Sequence, residues 1–222
     1  MPGPQPDGHA VALRSTLSAL GAATVGESGA RRMRPRVKAA WHGARLAAPA
    51  FPVRCTPGDN LAIHVAVTLA PRGSALVVDV GEEDEFGYWG EVLTTAAEAA
   101  GIAGLVIDGG VRDTQALAAH DFPVFATTTA LPGASKSSPG TVGAPVEVGG
   151  VVVAAGDWVV GDADGVAVVP AAAVDEVVAA AQARERKERA MFEALRAGKT
   201  TLELLGIDPT PVEDARETSA HG

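Results

Sequence analysis

The segment 75–80, ALVVDV, constrains this chain more than any other feature. A continuous apolar run of this length, ending in a single acid at Asp79, reads as a strand buried on both faces. Two runs of the same kind follow, GLVID at 104–108 and a third over Pro123 to Thr128. Helical stretches separate them: Glu91 to Ala100, rich in Ala, and a short helix opened by Asp113 and reaching about Ala119. The order strand, helix, strand, helix, strand predicts an α/β layer with parallel pairing. Upstream, a strand over 43–53 leads into Thr56-Pro57-Gly58-Asp59-Asn60. That is a helix start, with Asp59 or Asn60 as N-cap, for a helix reaching about Ala70.

The flanking regions read more simply. Residues 1–10 are expected to be a disordered tail, and Val11 to Leu20 a helix stopped by Gly21. A second short helix over 24–30 would take Thr24 as its N-cap. The basic stretch Arg31, Arg32, Arg34, Arg36 and Lys38 reads as a solvated connector. Val146 to Val169 gives four short Val-rich strands, an antiparallel meander or a second sheet layer. One long helix is expected over 171–197, with Glu185 and Arg189 as an i,i+4 pair and Gly198 as its stop. A last helix runs 201–205, and 208–222 is expected to fray. The organisation expected is a single domain over 11–207.

Composition excludes several classes. A net charge of −9 over 222 residues has the wrong sign for a nucleic-acid partner. The lone Cys55 excludes an internal disulfide and any paired-cysteine metal or redox site. There is no apolar run of 18 residues for a membrane span, and the polar, Pro-rich start does not resemble a signal peptide. A cytoplasmic protein is the resulting expectation. With aromatics at 4%, the core must be built from Ala, Val and Leu.

Two loops carry candidate chemistry: Gly87-Tyr88-Trp89-Gly90-Glu91 and Asp108-Gly109-Gly110-Val111-Arg112-Asp113. Both follow predicted buried strands and open helices, where α/β sheets bind ligands. Free helix N–H groups suit an anion, and Gly87, Gly90, Gly109 and Gly110 are read as clearing backbone for a small one. Arg112 can grip a carboxylate with a planar fork, and Asp113 can hold a hard divalent cation. The pair equally reads as a helix cap with surface partners. The other candidates are weaker. His9, His42, His64, His120 and His221 are scattered without metal-site spacing and read as core or surface residues. Lys136 is the one lysine in a Gly/Ser loop where a Schiff-base lysine could face a site. The acidic run 82–85 reads as a solvated loop, Asp162 and Asp164 as turn residues, and Tyr88 and Trp89 as core, contact or pocket-wall aromatics.

At these loops the sequence resembles the RraA-like family, which includes 4-hydroxy-4-methyl-2-oxoglutarate/4-carboxy-4-hydroxy-2-oxoadipate aldolases and regulators of ribonuclease activity. The resemblance spans about residues 12–206. It is carried by PGDN at 57–60, ALVVDV at 75–80, WGEVLTTAA at 89–97, GLVIDGGVRD at 104–113, FPVFA at 122–126 and GDWVVGDADGVAVVP at 156–170. The aldolase members carry an acidic residue, twenty intervening residues, then Arg-Asp. Here twenty residues separate Glu91 from Arg112, and Asp113 follows. Two segments depart from the family pattern: the acidic GEEDEF at 81–86, and Val25-Gly26-Glu27 in place of Val-Ala-Asp.

The resemblance implies an α/β/β sandwich of the swivelling phosphohistidine-domain type. It also implies a homotrimer or homohexamer with sites at subunit interfaces. Arg112 would bind the 1-carboxylate of a small 2-oxo acid, with the backbone around Gly90, Glu91, Val92 and Leu93 sharing it. Asp113 would hold Mg2+ or Mn2+, Glu91 a metal-bound water, and Glu188 of the C-terminal helix would act from a neighbouring subunit. The implied activity is metal-dependent pyruvate aldol cleavage with oxaloacetate decarboxylation. No histidine stands out as the base, so a water held by the metal or by Glu91 is expected in that role. The alternatives are a non-catalytic protein that binds a ribonuclease, and a lyase or decarboxylase for another 2-oxo acid.

Overall fold

The computed structural model describes residues 8–82 and 85–212. Its chain falls into two compact units, residues 1–182 and 183–222. In the first unit, helix α1 (Gly8–Gly26) leads to the short strands β1 (Arg31–Arg32) and β2 (Lys38–Ala39), then β3 (Leu46–Arg54), α2 (Leu61–Leu69) and β4 (Ala75–Asp79). Next come β5 (Gly87–Trp89), α3 (Glu91–Ala100), β6 (Gly104–Asp108), β7 (Gly110–Val111) and α4 (Thr114–Ala119). Then follow β8 (Val124–Ala126), β9 (Thr128–Thr129), β10 (Thr141–Val142), β11 (Val146–Val148), β12 (Val151–Val153), β13 (Trp158–Asp162) and β14 (Gly165–Val169).

The three apolar runs become β4, β6 and β8, and with β3 they form the parallel heart of a mixed sheet. The order is β1-β14-β13-β3-β4-β6-β8-β2, with β13, β14 and both outer strands antiparallel to their neighbours. The sheet curls on itself. A Cβ on Gly161 of β13 would lie 2.7 Å from the Phe125 ring of β8, although three strands separate β13 from β8 in the order. A glycine at 161 therefore lets the curl close.

Successive side chains of the buried parallel strands point to opposite faces and sort the core into layers. Leu76, Val78, Leu105 and Ile107 pack with Ile63, Leu93 and Leu117 of the crossover helices. Val77, Val106 and Phe125 face the other way, onto the Val148 and Val153 hairpin and Val159. Leu17 and Val25 of α1 cover the outer side of β13 and β14 through Trp158, Val160 and Val169.

The expected helices and strands of the middle of the chain form, and several flanking expectations need correction. α1 begins at Gly8, and residues 1–7 and 213–222, where tails are expected, lie outside the described residues. Gly21 does interrupt the first helix, at φ 78°. The piece after it starts at Ala22 rather than at a Thr24 cap, because Asp162 Oδ2 accepts the Ala22 N–H at 2.8 Å. Asp162 also accepts the Asp164 N–H at 3.0 Å, so its turn role holds and a cap is added. The basic stretch is not a mere connector. Arg31 and Arg32 pair with β14, Lys38 and Ala39 pair with β8, and Arg36 meets Asp108 at 2.8 Å. Backbone ladder bonds ignore side-chain polarity, and edge strands tolerate charge.

The second unit, described from Ala183 to Val212, carries the later turns of α5 (Val174–Arg196), then α6 (Thr201–Leu205). Thr200 and Glu203 close a reciprocal capping box at the start of α6. Glu185 and Arg189 pair at 3.5 Å, as their spacing predicts. Among the described residues, no helix is long and apolar enough to cross a membrane.

Candidate functional site

Past their carboxyl ends, β4, β6 and β8 continue into a second, small parallel sheet of β5, β7 and β9. This sheet brings the two candidate loops side by side. The Arg112 N–H donates to the Trp89 carbonyl at 2.9 Å, tying the start of one helix to the start of the other. Asp113 then takes a left-handed conformation, φ 58°, which Asp adopts more readily than most residues. That turn folds its carboxylate back over Gly90, where Oδ2 accepts the Glu91 N–H at 3.1 Å. The Arg112 Nε lies 3.8 Å from the same oxygen. Both side chains stay open, 44% and 43% exposed.

Gly90 makes this arrangement possible. A Cβ there would collide with Asp113 Oδ2 and lie 3.1 Å from Arg112 Cγ. Gly87 is comparably tight, its would-be Cβ 2.7 Å from the Ala130 carbonyl and 3.0 Å from Arg112 Cδ. Gly109 has a different reason from the one expected. A Cβ there would meet Val80 Cγ2 at 2.7 Å, so this glycine admits core packing rather than an anion.

A cavity of about 180 Å3 opens here. The expected Gly90, Val92, Leu93, Arg112 and Asp113 line it, and so do Asn60, His64 and Lys136, which come from other parts of the chain. The first N–H groups of α3 have no carbonyl within the helix to bond. That of Glu91 is taken by Asp113, and the next two residues of the helix, Val92 and Leu93, line the cavity. Lys136 arrives on a loop clamped to Asp59. The buried Asp59 carboxylate accepts from the N–H groups of Leu61 (2.8 Å), Ser137 (2.6 Å) and Ser138 (2.9 Å), and from the Ser135 hydroxyl (2.7 Å). Burial opposes its charge, but these four bonds outweigh burial and hold the carboxyl well below its ordinary range.

His64 and His120 are the residues that sequence reasoning passed over. Burial, with the Lys136 charge, holds the His64 imidazole below its ordinary value against the opposing pull of Asp59. The sequence carries no spacing signal for it beyond its place one turn after Asn60. His120, at the end of α4, meets Glu98 at 2.9 Å and Glu91 at 3.7 Å. Glu91 is thus turned toward His120 and does not line the cavity.

Glu188 belongs to the other unit, where it pairs with Arg184 at 2.8 Å. Trp89 is core, stacked on Phe122 at 5.9 Å with its Nε1 donating to Thr94 Oγ1. In the acidic run, Glu82 and Glu85 are exposed, as expected, and Glu83 and Asp84 lie outside the described residues. A larger cleft, about 420 Å3, lies between the end of α1 and β14 and shares no residue with the cavity just described.

A curled mixed sheet whose parallel strands deliver an Arg-Asp pair to a helix start beside a small cavity defines an α/β protein with a candidate site at that helix start. The chain belongs to the RraA-like family, whose model, described as Aldolase/RraA, matches residues 19–168. A Halalkalibacterium halodurans protein named "Putative 4-hydroxy-4-methyl-2-oxoglutarate aldolase" is 34% identical over 163 residues, covering 72% of this chain and 78% of that one. The crystal structure of an uncharacterised protein from Pseudomonas syringae pv. tomato superposes with a TM-score of 0.77 at 28% identity, over 89% of this chain and 98% of that one. A Streptomyces coelicolor protein, described as an unusual member of the RNase ES inhibitor RraA family, superposes with a TM-score of 0.71 at 29% identity, over 85% and 98%.

Proposed function

We propose that this chain is a divalent-metal-dependent pyruvate aldolase. It cleaves 4-hydroxy-2-oxo dicarboxylic or tricarboxylic acids such as 4-hydroxy-4-methyl-2-oxoglutarate, and it decarboxylates oxaloacetate. The observation that carries the reading is Arg112 and Asp113 on one wall of a small cavity that also exposes the first turn of α3. The aldolase name of the Halalkalibacterium relative supports it.

Among the described residues no cluster of three or more metal-binding side chains occurs. Mg2+ needs none, since it commonly takes one or two carboxylates and keeps several waters. Asp113 fits that donor set: its carboxylate is half-exposed at the cavity wall, and Oδ2 is steadied by the Glu91 N–H. Glu91, 3.7 Å from His120, would have to swing away from that imidazole to hold a water of such an ion. Bound there, Mg2+ or Mn2+ would supply Lewis acidity to the 2-keto oxygen.

The chain's own groups do the rest. The Arg112 fork binds the 1-carboxylate and fixes the keto group's direction. The Val92 and Leu93 N–H groups share that carboxylate at the positive end of α3. Arg112 and Lys136 add positive charge where an enolate develops, and preorganised charge of this kind is worth most in a small site. The net charge of −9 is no obstacle, because the positive charge is local.

The layer order supports the swivelling α/β/β sandwich that the resemblance implies. A homotrimer or homohexamer, with Glu188 contributed by a neighbouring copy, suits a cavity whose wall leaves Val92 78% exposed. The rival reading, a ribonuclease-binding regulator, rests on the description of the Streptomyces neighbour. Pyruvate release from 4-hydroxy-4-methyl-2-oxoglutarate and from oxaloacetate, with and without EDTA, separates the two. We expect metal-dependent turnover of both, lost by at least about 100-fold in Arg112→Ala. No turnover of either substrate with metal present would overturn the aldolase reading.

A further inference from the structure

Two buried polar atoms in residues lining this cavity have no hydrogen-bond partner among the described residues: Asn60 Oδ1 and His64 Nε2. Asn60 is the N-cap residue of α2, and His64 lies one turn into that helix. The His64 N–H reaches back to the Asn60 carbonyl at 3.3 Å, and side chains four apart on a helix are neighbours. The polar groups around them each make a hydrogen bond elsewhere. Asn60 Nδ2 donates to the Tyr88 carbonyl at 2.8 Å, the Tyr88 hydroxyl accepts the Gly58 N–H at 2.7 Å, and Lys136 Nζ donates to the Ala134 carbonyl at 3.2 Å.

Buried polar atoms in folded proteins are nearly always paired, so two adjacent orphans call for a partner from outside the chain. Asn60 Oδ1 only accepts. Burial and the Lys136 charge keep His64 neutral, with a ring nitrogen able to accept as well. Two acceptors one helical turn apart match the two donors of one water.

We infer that Asn60 and His64 hold a water through which His64 takes the 4-hydroxyl proton during carbon–carbon cleavage. This role rests on the aldolase reading and deepens it. The 4-hydroxyl gives its proton to the water as the water gives one to His64 Nε2. The C4–O bond becomes a carbonyl, the C3–C4 bond breaks, and its electron pair passes into the pyruvate enolate. The proton on His64 then returns through the same water to C3, which releases pyruvate and restores the neutral ring. Asn60 positions the water and takes no proton. Oxaloacetate decarboxylation has no hydroxyl to deprotonate, so its bond-breaking step does not call on His64.

The test compares kcat for the two reactions on the full chain with Mg2+, in wild type, His64→Gln and His64→Asn. Gln keeps a polar group of similar reach but takes no proton, and Asn serves as the second variant should Gln disturb folding. Loss of a general base typically costs 100-fold or more. The expected result is a cleavage kcat lowered by roughly that factor, with KM changed far less. The ratio of cleavage to decarboxylation should fall by at least about tenfold. Equal losses in both reactions, or an unchanged ratio, would overturn the role of His64. Wild type inactive on both substrates would overturn the aldolase reading and this role with it, and wild-type activity tells that outcome from a failure of His64 alone.

Discussion

The Glu91 N–H donates to Asp113 Oδ2 at 3.1 Å, so the first donor of α3 is capped by a carboxylate 22 residues further along the chain. No residue within the helix does this: Gly90, at the N-cap position, has no side chain to offer. The cap therefore couples the two loops that carry the candidate chemistry. Whatever moves Asp113 also moves Arg112 and uncovers the start of α3.

Gly90→Ala tests that coupling. At φ −164° the backbone is extended and any residue can adopt it, so the cost is contact alone. The added methyl would displace the Asp113 carboxylate and press on Arg112 Cγ at 3.1 Å. We expect kcat/KM for aldol cleavage to fall by about 100-fold, since a misplacement near 1 Å costs that much. Circular dichroism should report an unchanged fold. Full activity in this variant would mean that the Arg112–Asp113 geometry is not used.

Asp59→Asn tests the clamp beneath Lys136. Four donors converge on a buried carboxylate, and removing the charge weakens all four. Urea denaturation at pH 7 should show a loss of about 2 kcal/mol, in the range of hydrogen bonds to charged groups. The pH dependence has a definite sign. The folded pKa lies below the unfolded value near 4, so the wild-type advantage is fully present above about pH 5. It shrinks as pH falls below about 4 toward the depressed folded value. A wild-type advantage that is constant down to about pH 3 would contradict the depressed pKa.

Cys55 should be inert in the native protein. Burial pushes its thiol up to about 12, with the Asp59 and Asp79 charges adding to the shift against a hydrogen bond from the Ile63 N–H. The thiolate is the reactive form and is scarce at pH 8. Iodoacetamide at pH 8 should leave native Cys55 unmodified while alkylating it in urea, as read by mass spectrometry. Equal rates in both conditions would refute the shift.

Much of the fold is legible in the sequence because it rests on local apolar pattern. The runs at 75–80, 104–108 and 123–128 are strands in any packing that buries both their faces. Gly21 and Gly198 stop helices through their own left-handed backbones, a property each residue carries with it. The Arg112-Asp113 turn is visible for the same reason, as a charged pair after two glycines and a buried strand. The Arg31–Lys38 edge strands are not, because their partners β14 and β8 lie far along the chain and their side chains resemble loop residues. Nor is the Asp162 cap on Ala22, which joins positions 140 residues apart.

The sequence by itself determined the α/β order, the apolar core strands and the two loops that open α3 and α4, since these follow from short-range periodicity and turn chemistry. The tertiary structure alone decided what faces those loops. Curling of the sheet and the clamp on Asp59 bring Asn60, His64 and Lys136 to the cavity that Arg112 and Asp113 line. It also sends Glu91 to His120 instead. Such company depends on the sum of many packing contacts between distant segments, and no residue's neighbours in sequence encode that sum.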